Sequence, residues 1–408
     1  MNKLRALALG ILSAIGGFVD IGDLVFNSQA GALYGYRLIW AVIVGLVGIM
    51  VYAEMCGRVV AVSGRPVSDL VRERLGFGAG LVNLGASQIV NLLTLAAEVG
   101  GVAIVLHLLS GLALRPLVLL AALALGLSLW FLPFGILERV YSYLGLALLV
   151  FAVAAVNLHP DWGAAGRGAV PSMSGDRPLV YAYFAVGILG ATLSPYEVFF
   201  YSSGGVEEGW TSRSLGDNRI NALLGFGLGG VLSIAIMIVA AEVLLPRGIQ
   251  PEFLGTAALG PAVALGAAGF YVALIGMLAA VGGAAIEVCL SGAYTVAQFF
   301  GWPWGKHEQA RDAPRFVIAW AILLGLATLI ILTGVNPVQV TEYAVIFSAV
   351  ALPLTYLPIF IVANDRRYMG QHANGRLANA LGWVYLAVIL VVAIAAVPLL
   401  MLTSGGQG

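Results

Sequence analysis

Gly16-Gly17-Phe18-Val19-Asp20-Ile21-Gly22-Asp23 lies in the middle of an apolar run that starts at Leu4 and continues past Tyr34. Two carboxylates three residues apart, flanked by glycines, stand where a continuous helix should cross hydrocarbon. Glycine pairs weaken a helix and bare its peptide groups. Non-helical backbone at membrane depth is tolerated only where it is buried in protein or lines a cavity. Ionisable side chains there are costly and therefore mark a functional site. The stretch reads as one half of a cation site.

The rest of the chain supports that setting. Of 408 residues, 61% are hydrophobic and 10% charged, which excludes a soluble globular chain, and with no net charge nothing suggests a nucleic-acid partner. Cys56 and Cys289 sit far apart in apolar runs and form no disulfide framework. His107, His159, His307 and His372 show no pair with metal-ligand spacing on one helix. Met1-Asn2-Lys3-Leu4-Arg5 followed by apolar residues mimics a signal peptide. The run carries Asp20 and Asp23 and then resumes, which suits a first spanning helix instead.

Eleven spanning segments are predicted, an all-α polytopic membrane protein with no separate soluble domain: about 4–34 (broken), 38–63, 81–110, 116–133, 140–157, 178–204 (broken), 219–245, 269–299, 314–334, 338–363 and 378–402. Proline, glycine and charge collect between them. With the N-terminus in the cytoplasm, fifteen of the twenty Lys and Arg fall on the inner side, which also places the C-terminus outside. The expected location is the cell (inner) membrane, with the lipid bilayer itself as a partner.

Asp20, Asp23, Glu54, Glu98, Glu197 and Glu287 fall inside these spans, Glu54 towards a cytoplasmic end; Glu242 and Glu342 lie within about a turn of the outer surface. No Lys or Arg lies deep in any span, so ion pairing is not expected to explain the six inner acids. At about 2.5–3.5 kcal/mol each they oppose insertion unless protonated, hydrated or bound to cations. A second break is predicted in the sixth segment, at Gly190-Ala191-Thr192-Leu193-Ser194-Pro195-Tyr196-Glu197. Proline removes a backbone donor and opens the preceding turn, freeing carbonyls near Ala191.

Segments one and six each open a set of five. Broken helices in corresponding positions of two halves point to an inverted-repeat transporter. The whole chain, 1–408, reads as one transporter domain: a first repeat over about 1–160, a second over about 175–363, and an extra helix over about 378–402. Segments three and eight correspond as well, and carry Glu98 and Glu287.

Ser28-Gln29-Ala30-Gly31-Ala32-Leu33-Tyr34-Gly35-Tyr36-Arg37-Leu38-Ile39-Trp40 resembles the sequence that follows the first-helix motif of the natural resistance-associated macrophage protein family. Gly187-Ile188-Leu189-Gly190-Ala191-Thr192 resembles that family's approach to its sixth-helix motif. The resemblance implies the leucine-transporter-like 5+5 fold and transport of divalent transition metals.

The departures are chemical. Asp20-Ile21-Gly22-Asp23 stands for the family's Asp-Pro-Gly-Asn, and Ser194-Pro195-Tyr196 for Met-Pro-His, with Glu197 following. The third-helix pair of acids is reduced to Leu95 and Glu98, and Tyr201 replaces a second histidine. A thioether is a soft ligand and Ser194 is not. The implied ligand set becomes all oxygen: Asp20, Asp23, Glu197 and Ser194, with carbonyls near Gly17 and Ala191. Such a set suits magnesium first and manganese next, and resembles the family's magnesium-transporting branch. Proton coupling is not expected, because Tyr196 titrates far above neutrality, although Glu98, Tyr196 and Glu287 are candidates for the pathway or for carrying a proton. A divalent ion entering a negative interior needs no proton partner. A transporter of an organic cation or amino acid is the alternative, with Phe18, Tyr196, Phe199 and Tyr201 lining a cation–π pocket. No nucleophile–base pair, phosphate loop or resident cofactor is indicated, so no enzyme is expected.

Overall fold

The computed structural model describes residues 19–173, 177–306, 308 and 310–406. The first half of span one, with Gly17 and Phe18, lies outside the described residues, as does His307. Among the described residues ten helical segments are long and apolar enough to cross a membrane. The described half of the broken first span, α1 (Ile21–Tyr34), adds to these.

The chain continues through α2 (Ile39–Ser63), the short α3 (Val67–Leu75), α4 (Phe77–Ser110) and α5 (Leu114–Phe131). Next come α6 (Phe134–Gly145) and α7 (Leu149–Asn157), joined by one 3-10 turn into a single span, and the short α8 (Trp162–Gly168). The sixth span is two helices, α9 (Pro178–Thr192) and α10 (Pro195–Glu207), which settles its expected break. Then follow α11 (Leu215–Ile220), which runs through a π-helical turn into α12 (Phe226–Val243), and α13 (Leu259–Phe300). The last four are α14 (Pro314–Leu332), α15 (Pro337–Asn364), α16 (Arg366–Met369) and α17 (Arg376–Leu402).

Local chemistry explains many of these boundaries. Proline opens α9, α10, α14 and α15, where its missing N–H is no loss and its φ suits the first turn. Several expected limits shift, the third segment beginning at Phe77 rather than 81 and the fifth at Phe134 rather than 140. The eighth segment begins ten residues early, at Leu259, because a short helical piece precedes a kink at Gly266, whose φ is +70°. Residues 67–75 are helical rather than loop, with acidic Asp69 in the first turn and Arg72 and Arg74 in the last, matching the helix dipole.

Burial sorts the helices into centre and rim. Nearly every residue from Tyr183 to Phe199 is buried. By contrast α5 buries a stripe at Leu117, Val118, Ala121, Leu125 and Leu129, and leaves Leu119, Leu120, Leu123 and Leu127 open, as a lipid-facing helix does. The centre is built from α1, α4, α9–α10, α13 and α15. α1 packs closely on α12, where a Cβ on Gly31 would come within 2.3 Å of the Met237 carbonyl oxygen.

Glu54 departs from the expectation of an inner acid without a counter-ion: Arg58, one turn on in α2, holds it at 3.1 Å, and Arg58 is itself buried. That guanidinium also donates to the His372 carbonyl at 2.6 Å and to Asn374 Oδ1 at 2.7 Å. Glu242 and Glu342, near the ends of their helices, accept from Tyr36 and Gln29.

Candidate cation site

The start of α1 adjoins the break in the sixth span. A Cβ on Gly22 would lie 3.4 Å from the Ala191 side chain and 3.0 Å from Asp20 Oδ1. Asp20 is the N-cap of α1: its Oδ1 accepts from the Asp23 amide at 2.9 Å. Its other oxygen accepts from the Tyr196 hydroxyl at 3.3 Å, joining the start of α1 to the first turn of α10. Glu98 reaches from α4 to the Ile21 amide at 3.2 Å, so two first-turn donors of α1 are met by carboxylates. Helix N-termini carry partial positive charge and favour such anions.

Asp23 points partly the other way. Its Oδ1 accepts from Asn27 one turn on and from Ser233 of α12, each at 3.1 Å, while its Oδ2 is buried without a hydrogen bond. Glu197, in the first turn of α10, has both oxygens buried without a hydrogen bond, as has Glu98 Oε2. Glu287, on α13, is half-buried and lies within electrostatic range of Glu98, Tyr196 and Glu197.

The break itself is two residues, Leu193 and Ser194. Ser194 Oγ donates back to the Ala191 carbonyl at 2.8 Å, so that carbonyl is engaged rather than bare, while the serine lone pairs stay available to a cation. Other carbonyls of the break are met from α15: Ser348 donates to Gly190 at 3.2 Å and Tyr356 to Leu193 at 3.0 Å. Ser291 of α13 donates to the Tyr196 carbonyl at 3.1 Å.

Asp20, Asp23, Glu98 and Glu197 are each no more than 4% exposed, and among the described residues none is paired with Lys or Arg. Their summed insertion penalty is roughly 10 kcal/mol or more, which calls for protons or a cation. Among the described residues, however, no three acidic, His or Cys side chains converge tightly enough to hold one ion as they stand. Asp20, Asp23 and Glu197 therefore share a neighbourhood, and their oxygens have yet to close on a common point.

Sequence reasoning missed several partners. Ser87 and Asn91 recur at helical spacing with the expected Glu98 on α4, all three buried and each with a polar atom lacking a hydrogen bond. That polar stripe in an apolar helix is a readable signal. Ser233 and Tyr356 carry no local signal, since each acts on a distant segment. Among the described aromatics Tyr196 and Tyr201 part company: Tyr196 sits on Asp20, whereas Tyr201 donates to Asn218 Oδ1 at 2.9 Å and packs on Trp210 and Phe226.

Among the described residues, ten segments long and apolar enough to span, a helix broken at mid-span and buried carboxylates around that break define a polytopic helical membrane transporter. The family model described as natural resistance-associated macrophage protein-like matches residues 10–398, and the chain belongs to that family. Among its relatives is a divalent metal cation transporter MntH of Deinococcus radiodurans, 26% identical, with 91% of this chain and 85% of that one covered. Another, the MntH of Ralstonia nicotianae, is 29% identical over 95% of this chain and 89% of the relative. Among solved structures, the manganese transporter of Eremococcus coleocola superposes with a TM-score of 0.79 at 18% identity, covering 97% of this chain and 87% of that one. Mhp1, a nucleobase-cation-symport-1 family transporter, follows with a TM-score of 0.61 at 16% identity, covering 97% and 92%. These likenesses show the leucine-transporter-like fold.

Proposed function

We propose that this protein carries a divalent metal cation by alternating access, magnesium in preference to manganese and without obligatory proton coupling. The observation that carries the reading is the cluster of buried carboxylates around two adjoining helix ends, with no basic partner among the described residues and only oxygen donors at hand. Asp20, Asp23, Glu197 and Ser194 are the proposed side-chain ligands. The carbonyls of Gly17 and Ala191 complete the proposed set, the latter shared with the Ser194 hydroxyl. Hard, oxygen-only sites suit magnesium and manganese over softer metals, and magnesium keeps part of its water. The names of the relatives, divalent metal and manganese transporters, support a metal cargo.

In this reading the two repeats, about 1–160 and 175–363, rock around the breaks, and the N-terminus is cytoplasmic with the C-terminus outside. Glu98 and Glu287 border the path, and Tyr196 orients Asp20. The test is metal uptake into proteoliposomes at a set membrane potential, with magnesium, manganese and a proton-sensitive dye followed together. Magnesium uptake without matching acidification of the lumen is expected. Manganese uptake with no magnesium flux would overturn the ion assignment, and acidification in proportion to flux would overturn the uncoupled mechanism.

A further inference from the structure

Away from the ion path, a pocket of about 580 Å³ opens where α15 ends, beside the start of α17 and the end of α3. Its two halves differ in chemistry. One wall is apolar: Leu357 and Phe360 of α15 and Trp383 of α17, whose ring meets Phe360 edge-on at 5.3 Å. Leu357 and Trp383 are 42% and 63% exposed, so this wall opens to the surroundings of the helix bundle. The other wall carries the guanidiniums of Arg74, Arg366 and Arg367.

One acid faces them. Asp365 binds Arg74 at 2.6 Å and accepts from the Arg367 amide at 2.9 Å, so it is already engaged. These contacts, the Arg367 amide first and Arg74 after it, hold its carboxyl below the usual carboxylate range. Three guanidiniums against one carboxylate leave the pocket cationic. Among the described residues the Arg366 guanidinium has no hydrogen-bond or ion-pair partner, and it is exposed at the pocket rim. Guanidinium groups bind phosphate oxygens in pairs. Tryptophan favours the level of the lipid headgroups. Basic pockets between spanning helices receive phospholipid headgroups.

The geometry points to a binding site for one anionic phospholipid, its phosphate on Arg366 and Arg367 and an acyl chain along Leu357 and Trp383. The apolar wall is what separates this occupant from free phosphate, which would gain nothing from it. The site ties α3 to the ends of α15 and α17, and it stands apart from the identity of the transported ion.

The test uses the full chain, stripped of lipid in detergent and titrated with phosphatidylglycerol or phosphatidylcholine, with retained lipid counted by native mass spectrometry. Preferential retention of one phosphatidylglycerol is expected. Each arginine near an anionic surface contributes about fivefold, so R366A/R367A should lose roughly twenty- to thirtyfold of that preference. R366Q/R367Q, which keeps side-chain length and removes both charges, should lose a similar share, and gives the reading should the alanine pair prove unstable. Equal retention of the two lipids, or undiminished preference in the alanine pair, would overturn the site. Displacement of the lipid by millimolar inorganic phosphate would overturn the lipid in favour of a small-anion site.

Discussion

At the scale of single residues, the site is a set of acids assigned unequal tasks. Asp20 spends one oxygen capping α1 and offers the other to Tyr196. Glu197 has no such engagement, which makes it the acid most available to an incoming ion. Glu197→Gln should therefore weaken metal binding in calorimetry by roughly ten- to a hundredfold while leaving the fold intact. An unaltered isotherm would direct that side chain elsewhere. Ser194→Met exchanges a hard oxygen for a soft sulfur at the break. Competition binding should then shift towards cadmium relative to magnesium. The acids themselves were plain in the sequence. Their division of labour was not, since it depends on contacts such as Glu98 with the Ile21 amide, 77 residues apart. The Glu54–Arg58 pair was within reach, because residues four apart on a helix are neighbours.

At the scale of elements, the break in the sixth span followed from Pro195 alone, and the structure narrows it to two residues. The sequence also placed the limits of α2, α14 and α17 to within about two residues, since a span must fill the bilayer and has no other way to end. Shorter elements escaped that logic. α3 has nine residues, too few to span, and its amphipathic pattern sits beside the Gly64-Arg65-Pro66 turn that marked the region as a loop. The contact of α1 with α12 is tight enough to test. Gly31→Ala would place a methyl 2.3 Å from a backbone oxygen, so one helix must move. A loss of about 1–3 kcal/mol is expected, read as a lower melting temperature in detergent. Unchanged melting would show that the two helices separate readily there.

For the whole molecule, what matters is where opposite charges are absent. Among the described residues Arg and Lys gather towards the helix ends, as with Arg58, Arg65 and Arg74 in their ion pairs, while the centre keeps only acids. A metal bound there offsets two negative charges. Exchange of labelled manganese for magnesium across a vesicle membrane should accordingly run several times faster than net uptake into metal-free vesicles. Equal rates would mean that the vacant form neutralises itself some other way. With no built-in counter-ion among the described residues, the proposed carrier has a kinetic signature: its inward stroke travels with the cargo as ballast, and its unladen return is the slow half of the cycle.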